Sequence, residues 1–170
     1  GTVEYINIHR LVQEVIRKHH EIEEGNNSGI NRWLQLDFNM LESYLPASCE
    51  EADGVSQFMP IAIHAESIVE QYSIRVKTKS LKLKIANLYD KIGDCYDDCG
   101  IFDNAFTNYF SSLQIKELYL GKKHSETAIQ YDNIGLLFTK TGDYLKAIKW
   151  HKKAINILES SLGKKSLDTA

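Results

Sequence analysis

The chain has 170 residues, 43% of them hydrophobic, and a formal net charge of −3. This length and composition suffice for one body with a buried core. The negative charge argues against a nucleic-acid binder, which needs cations to neutralise phosphates. The chain has three cysteines, an odd number, and neither a secretory signal peptide nor an apolar run of about 18 residues. We therefore expect a cytoplasmic protein that does not associate with membranes.

Residues 1–20 differ in pattern from the rest of the chain. Residues 3–8 alternate as in a short strand, and the residues after them have the apolar spacing of a helix. With Ile8-His9-Arg10 at the junction, this segment resembles the end of the winged-helix domain of NB-ARC-type signal-transduction ATPases. A Met-His-Asp motif stands there in that family, so Arg10 departs from the pattern. The resemblance implies that His9 senses a nucleotide in a longer protein, whereas the sequence given has no further nucleotide contact and we expect no cofactor.

Residues 30–79 are predicted to form a helical adaptor or a degenerate repeat. Apolar residues at helical spacing predict helices over Asn31–Leu45 and Phe58–Tyr72, with Pro60 in the opening turn of the second. Such a pair of helices would cover the apolar end of the region that follows. The basic residues 75–84 are predicted to link the two parts.

From residue 80 onward, one stretch of sequence occurs twice, 42 residues apart. The matching residues are small or apolar: Tyr89 and Tyr131, Ile92 and Ile134, Gly93 and Gly135, Gly100 and Gly142, Ala105 and Ala147, and Gly121 and Gly163. A constant period of this size indicates a repeat architecture, whose stacked units form an extended binding surface. We place one repeat at residues 80–121, a second at 122–163, and the start of a truncated third at 164–170.

The spacing of these residues resembles the tetratricopeptide repeat, which has a large residue, a Leu-Gly pair, an aromatic residue, and then Ala, aromatic and Ala at these steps. The period of 42 residues, rather than about 34, is similar to the variant in kinesin light chains. The resemblance implies an all-α solenoid of helical hairpins, preceded here by the helical adaptor and the short strand.

Several residues of the repeats predict where helices end and where they touch. Gly100 and Gly142 should follow the first helix of each hairpin, because glycine adopts the left-handed conformation without strain. Asp143 is predicted to cap the helix that comes next. The small residues expected where two helices approach closely are Gly93, Gly135, Ala105 and Ala147.

No arrangement of residues in this sequence predicts catalysis. The chain has neither a phosphate-binding loop nor a nucleophile with a base at a telling spacing, so we expect no enzymatic activity. Cys95 and Cys99 are four residues apart and could form half of a metal site. They fall at positions that face neighbouring helices, which favours packing, and we expect no metal.

The first helix of each repeat is predicted to line a concave groove that binds a partner. The residues expected on this face are Asn87, Asp90, Lys91, Asp94 and Asp97, with Asp98 at its edge, and Ile129, Asp132, Asn133 and Leu136. Four aspartates would repel the carboxylate that chaperone-binding members of the family hold in a Lys/Asn clamp. The resemblance implies that Asn133 holds a peptide backbone through its amide donor and acceptor. Two interpretations stay open for the aspartates: a site for a basic or extended segment, or a solvated helix face.

The repeats predict a non-catalytic protein–protein interaction module, and the resemblance of residues 1–20 implies that it is the C-terminal repeat region of an NB-ARC-like signalling ATPase. The partner would be a protein or peptide with a basic segment, or the ATPase domain of the same polypeptide. The lysines of the second repeat, which are Lys146, Lys149, Lys152 and Lys153, are predicted to form a solubilising outer face. Two alternatives remain: a free-standing adaptor of kinesin-light-chain type that docks extended peptides, and a peptide-sensing repeat domain of a transcription regulator.

Overall fold

The computed structural model describes residues 52–167, and within that range the chain forms five α-helices and no strand. The helices are α1 (Ala52–Arg75), α2 (Lys79–Asp98), α3 (Phe102–Tyr119), α4 (Ser125–Lys140) and α5 (Tyr144–Leu167). Each helix packs against the next one in the chain, which confirms the all-α hairpin architecture. The strand over 3–8, the helix over 31–45 and His9 lie outside the described residues.

Two glycine turns close the hairpins α2–α3 and α4–α5. Gly100 has a φ of 72° and Gly142 a φ of 83°, so both adopt the left-handed conformation. In the first turn, Ile101 N donates to Tyr96 O at 2.8 Å and Gly100 N donates to Asp97 O at 2.9 Å. This pair of bonds is the Schellman motif that satisfies the last carbonyls of a helix. The predicted helix ends are confirmed.

Each hairpin is held by a ring that lies directly on a glycine of its first helix. A Cβ atom added to Gly93 would be 2.7 Å from Cδ1 and Cε1 of Tyr109, and one added to Gly135 would be 2.8 Å from Cε1 of His151. No side chain larger than hydrogen fits at these contacts without displacing the ring. The expected close approach of the helices at both glycines is confirmed.

The second hairpin has a side-chain cap that the first one lacks. Asp143 Oδ1 accepts a hydrogen bond from Lys146 N at 3.2 Å, as predicted for an N-cap. Hydrogen bonds from the Lys146 side chain and backbone lower the pKa of Asp143. At the matching position of the first hairpin, Ile101 offers no such acceptor.

The segment before the repeats differs from the prediction in two ways. α1 begins at Ala52, so Pro60 lies within this helix and removes one of its backbone hydrogen bonds rather than opening it. The basic linker predicted over 75–84 is wrong, because α2 begins at Lys79. The lysines there alternate with apolar residues on an amphipathic helix, where Leu81 is buried.

The end of the second repeat also departs from the strict period. The turn at Gly121, with a φ of 94°, is held by α4, because Thr127 Oγ1 donates to Gly121 O at 2.9 Å. The matching Gly163 is helical, since α5 continues to Leu167. The counterpart of Thr127 is Thr169, which lies outside the described residues.

The two hairpins meet through aromatic side chains of α3, α4 and α5. The ring centroids of Phe106 and Phe138 are 4.6 Å apart, and those of Phe110 and Trp150 are 5.7 Å apart. Lys153 Nζ lies 4.4 Å from the centroid of the Trp150 ring. One lysine of the predicted solubilising face therefore also covers this aromatic contact.

We expect Ala147→Leu to destabilise the second hairpin, because Ala147 is only 3% exposed and the additional carbons would overpack the core. Overpacking of this kind costs about 1–3 kcal/mol, which denaturant unfolding can measure. The matched control is Lys149→Leu, which adds an apolar side chain to an exposed position of the same helix. Equal stability of the two variants would contradict the packing at Ala147.

Candidate partner-binding groove

The exposed faces of α2 and α4 carry some of the residues that the sequence predicted for a groove. Asn87, Lys91, Asp94 and Asp98 are exposed on α2, and their spacing of four, three and four residues places them on one helix face. This differs from the predicted face of Asp90, Asp94 and Asp97 with Asp98 at its edge. Asp98 belongs to the exposed face, whereas Asp90 and Asp97 lie at its margin, towards the next helices.

Asp90 is part of a polar network between the two repeats. Its Oδ2 accepts a hydrogen bond from Lys116 Nζ, and the Lys116 side chain is 6% exposed. Lys116 Nζ also donates to Gln130 Oε1 at 3.3 Å, and Gln130 Nε2 donates to Tyr109 O at 3.3 Å. The network therefore ties α2 and α3 to α4.

Burial dominates the electrostatics of Asp90. It raises the pKa of the carboxyl, while the charge and hydrogen bond of Lys116, and after them the hydroxyl of Ser112, act in the opposite direction. Within the described residues, Asp90 Oδ1 and Ser112 Oγ are buried without a hydrogen bond of normal geometry. A buried pair of this kind is costly to break but is weak evidence for net stabilisation.

The other two predicted aspartates of α2 also have partners within the chain. Tyr109 donates its hydroxyl to Asp94 Oδ1 at 2.7 Å, and Lys140 Nζ donates to Asp97 Oδ1 at 2.8 Å. Asp94 stands on the exposed side of its helix, but its carboxyl is partly desolvated beside the Tyr109 hydroxyl. This partial burial raises the pKa of Asp94, although the hydrogen bond from Tyr109 opposes the shift.

The groove face of α4 has a different chemistry. Ile129 is 53% exposed and Leu136 is 48% exposed, and they are seven residues apart, which places them on one face two turns from each other. Asn133 lies between them and is partly exposed. Asp132 stands at the margin, as Asp90 does on α2, and its Oδ1 is 2.7 Å from His151 Nδ1.

In each repeat, the ring that lies on the glycine contacts a carboxylate of the first helix, but the position of that carboxylate differs between the repeats. In the first repeat, the ring on the glycine is Tyr109, and its hydroxyl reaches Asp94. In the second repeat, the ring is His151, and it reaches Asp132. The counterpart of Asp94 in the second repeat is Leu136, which cannot accept a hydrogen bond.

Sequence reasoning missed the partners of the groove carboxylates. The sequence did not place His151, Lys116, Lys140 or Tyr109 near the aspartates. The lysines belong to helices that are distant in the sequence, and no spacing relates them to Asp90 or Asp97. Only Tyr109 and His151 carried a usable signal, because both occupy the ring position of the repeat and have polar ends.

The described residues contain no group of three or more His, Cys, Asp or Glu side chains that could hold a metal ion. Cys95, which is buried in α2, and Cys99 do not form a disulfide. No described helix is long and apolar enough to cross a membrane.

Comparison with known proteins agrees with this architecture. Residues 84–170, just over half of the chain, match the family model described as tetratricopeptide repeat. The chain therefore belongs to the tetratricopeptide repeat family, whose members are in general non-catalytic protein-interaction modules.

Among solved structures, the crystal structure of BtubC (BKLC) from P. vanneervenii is similar to this chain at 15% identity, with a TM-score of 0.46. The match covers 92% of this chain and 72% of that one. A comparison with curated protein sequences finds no match.

We expect Asp90→Asn to destabilise the chain by about 3 kcal/mol, because it leaves the buried ammonium of Lys116 without a counterion. Adding Lys116→Leu should recover most of the loss, since Leu158 occupies the matching position of the second repeat. Asp97→Asn is the control, because its partner Lys140 is 48% exposed and such pairs contribute about 0–1 kcal/mol. Equal losses for Asp90→Asn and Asp97→Asn in denaturant unfolding would contradict the network.

The raised pKa of Asp94 predicts a pH-dependent effect of Asp94→Asn. When the pKa of a carboxyl is higher in the folded chain than in the unfolded chain, the group favours folding at pH values below its unfolded-state pKa. This contribution is lost as the pH rises through the folded-state pKa. The amide keeps the acceptor for Tyr109 but has no charge to desolvate. The variant should therefore be more stable than the wild type at pH 7. This difference in stability should vanish below pH 3.8, which is the ordinary pKa of an aspartate. A difference that does not change with pH would rule out this origin.

Proposed function

We propose that the exposed faces of α2 and α4 form a groove that binds an extended segment of a partner protein, and that this segment contains a lysine or arginine and apolar side chains. The observation that carries the proposal is the combination on these faces of an acidic half and an apolar half. Asp94 and Asp98 stand on α2, and half-exposed Ile129 and Leu136 stand on α4.

The chemistry of each half favours a different part of the ligand. Exposed apolar side chains at a fixed spacing favour binding of apolar groups of a partner, because contact removes apolar surface from water. The acidic half is less anionic than the sequence indicated, because Asp90 and Asp97 are each paired with a lysine. Asp94 and Asp98 share their exposed face with Lys91, so this face matches a single cationic side chain rather than a long basic run.

Asn133 favours an extended segment over a helix. Its amide can donate to a peptide carbonyl and accept from a peptide N–H at the same time. A helix uses these backbone groups internally, whereas an extended chain leaves them available. Asn133 is partly exposed between the two apolar side chains, so a bound backbone would pass over it.

The context of the module rests on the sequence alone. The NB-ARC-like segment, including His9, lies outside the described residues. The role of the repeat module as the C-terminal region of a signalling ATPase therefore stays a prediction. In that setting the extended segment would come from a partner protein or from the ATPase domain itself. Binding of the segment to the groove would hold the ATPase domain, and loss of the segment would release it.

Selection from a displayed library of random peptides tests the groove. We expect peptides with apolar residues and a Lys or Arg to be enriched on the immobilised chain. Calorimetry on one selected peptide should show an affinity loss of about tenfold for Asn133→Ala, which removes two hydrogen bonds. Leu136→Ser should also lose affinity, and added salt should weaken the wild-type complex through screening.

Two matched variants serve as controls for this experiment. Ile148→Ser removes an apolar side chain of equal exposure from α5, and Asp103→Asn removes an exposed carboxylate from α3. Both should bind the selected peptide as the wild type does. Enriched peptides without a basic residue, or equal affinities for the groove variants and the controls, would refute the proposed site and leave the α2 carboxylates as a solvated face.

A further inference from the structure

Three lysines share one outer face of α5, a helix that carries none of the groove residues. Lys146, Lys149 and Lys153 are exposed, and their spacing of three and four residues places them on one side of the helix. Lys152 is also exposed, but it lies about 100° from Lys153 around the helix. The side that carries Lys146, Lys149 and Lys153 is called the lysine face below.

The first repeat shows that the hairpin does not require lysines at these positions. The residues 42 positions earlier, on α3, are the uncharged Asn104, Thr107 and Ser111. The hydroxyls of Thr107 and Ser111 donate to backbone carbonyls of α3 itself, at 3.0 and 2.9 Å. The two hairpins therefore close in the same way with a neutral and with a cationic outer face, and hairpin packing does not account for the three lysines.

The lysine face borders aromatic rings that are partly open to solvent. Lys153 Nζ lies 4.4 Å from the centroid of the Trp150 ring, and Lys146 Nζ lies 5.2 Å from that of the Phe138 ring. The Trp150 ring in turn contacts Phe110 of α3, with 5.7 Å between the centroids. Trp150, Phe138 and Phe110 are all partly exposed, so the junction of α3, α4 and α5 offers apolar surface beside the ammonium groups.

The three lysines differ in how far their charge is compensated. Lys146 Nζ is 2.7 Å from Asp143 Oδ2, which belongs to the residue that caps the same helix. Lys149 and Lys153 form no ion pair with any of the described residues. The Trp150 ring attracts the Lys153 ammonium through the negative face of its π system, but it leaves the positive charge in place. Both ammonium groups can therefore donate hydrogen bonds to an anion.

We propose that the lysine face and the Trp150 ring bind an acidic segment of a partner protein. One carboxylate of the segment accepts from Lys153, and a second accepts from Lys149, which is four residues, or about 6 Å, away along the helix. An apolar side chain of the segment packs on the exposed parts of Trp150 and Phe138, which removes apolar surface from water. The charge of this ligand is opposite to that proposed for the groove, and the site does not depend on the groove.

The composition of the surface favours a protein segment over a nucleic acid or a membrane. Two uncompensated cations in a chain of net charge −3 provide little of the phosphate neutralisation that nucleic-acid binding requires. Insertion into a membrane requires apolar side chains that project from a helix, whereas these rings pack on one another and carry lysines over their faces. Two carboxylates beside one apolar side chain match both parts of the surface.

A two-step selection from a displayed library of random peptides tests this surface. The library is first depleted on the immobilised double variant Lys149→Gln/Lys153→Gln, which keeps the groove, and is then selected on the wild-type chain. Peptides that bind elsewhere are removed in the first step, so the enriched peptides require the two lysines. We expect these peptides to carry two Asp or Glu residues and an aliphatic or aromatic residue.

Calorimetry with one enriched peptide then measures each contribution. Lys153→Gln should lower the affinity about tenfold, because a hydrogen bond from a charged donor is lost, whereas Lys153→Arg keeps the charge and should retain most of the affinity. The matched control is Lys152→Gln, which removes an exposed lysine outside the lysine face and should bind the peptide as the wild type does. Added salt should weaken the wild-type complex through screening.

Failure to enrich acidic peptides, or equal affinities for Lys152→Gln and Lys153→Gln, would overturn the proposal and leave the lysine face as a solvated surface. Tighter binding of a single-stranded oligonucleotide, or of vesicles that contain phosphatidylserine, would overturn it in favour of that ligand if the double variant abolished the binding. The result is separable from that for the groove, because Asn133→Ala should leave the affinity for the acidic peptide unchanged.

Discussion

The contact between a ring of the second helix and a glycine of the first is the constraint on which the described hairpins depend. At Gly93 and Gly135 there is no space for a Cβ atom, so the two helices approach as closely as the ring allows. The ring then extends past the glycine, and its polar end reaches a carboxylate near the exposed side of the first helix. One packing contact therefore holds the hairpin together and sets the charge distribution of the groove.

Because the ring is tied to a carboxylate, a change in the ring changes the groove. Tyr109 reaches Asp94, and this leaves Asp90 to pair with Lys116. His151 reaches Asp132 instead, and the positions of Asp94 and Lys116 are taken by Leu136 and Leu158. The two repeats share their glycine turns, yet one presents carboxylates and the other presents apolar side chains.

The interface between the repeats is both polar and aromatic. On one side of α4, Gln130 joins the network of Lys116 and Asp90. The charges in this network are desolvated, so removing one partner would leave the other charge buried without compensation. On another, Tyr131 bonds to Glu117 beside the ring contact of Phe106 and Phe138. This second set of contacts joins residues 14 to 32 positions apart, so no spacing within one helix predicts it.

The sequence by itself determined the period, the glycine turns and the close contacts, because each depends on a residue type at a position within one hairpin. Gly100 and Gly142 take a left-handed conformation that other residues rarely adopt, and Gly93 and Gly135 allow an approach that no side chain permits. Only the tertiary structure decided which carboxylates remain available to a partner. Lys116 and Lys140 come from helices beyond the one that carries Asp90 and Asp97, and burial sets the pKa of Asp90 and Asp94. Pairing and desolvation depend on distances between helices, which no local spacing in the sequence contains.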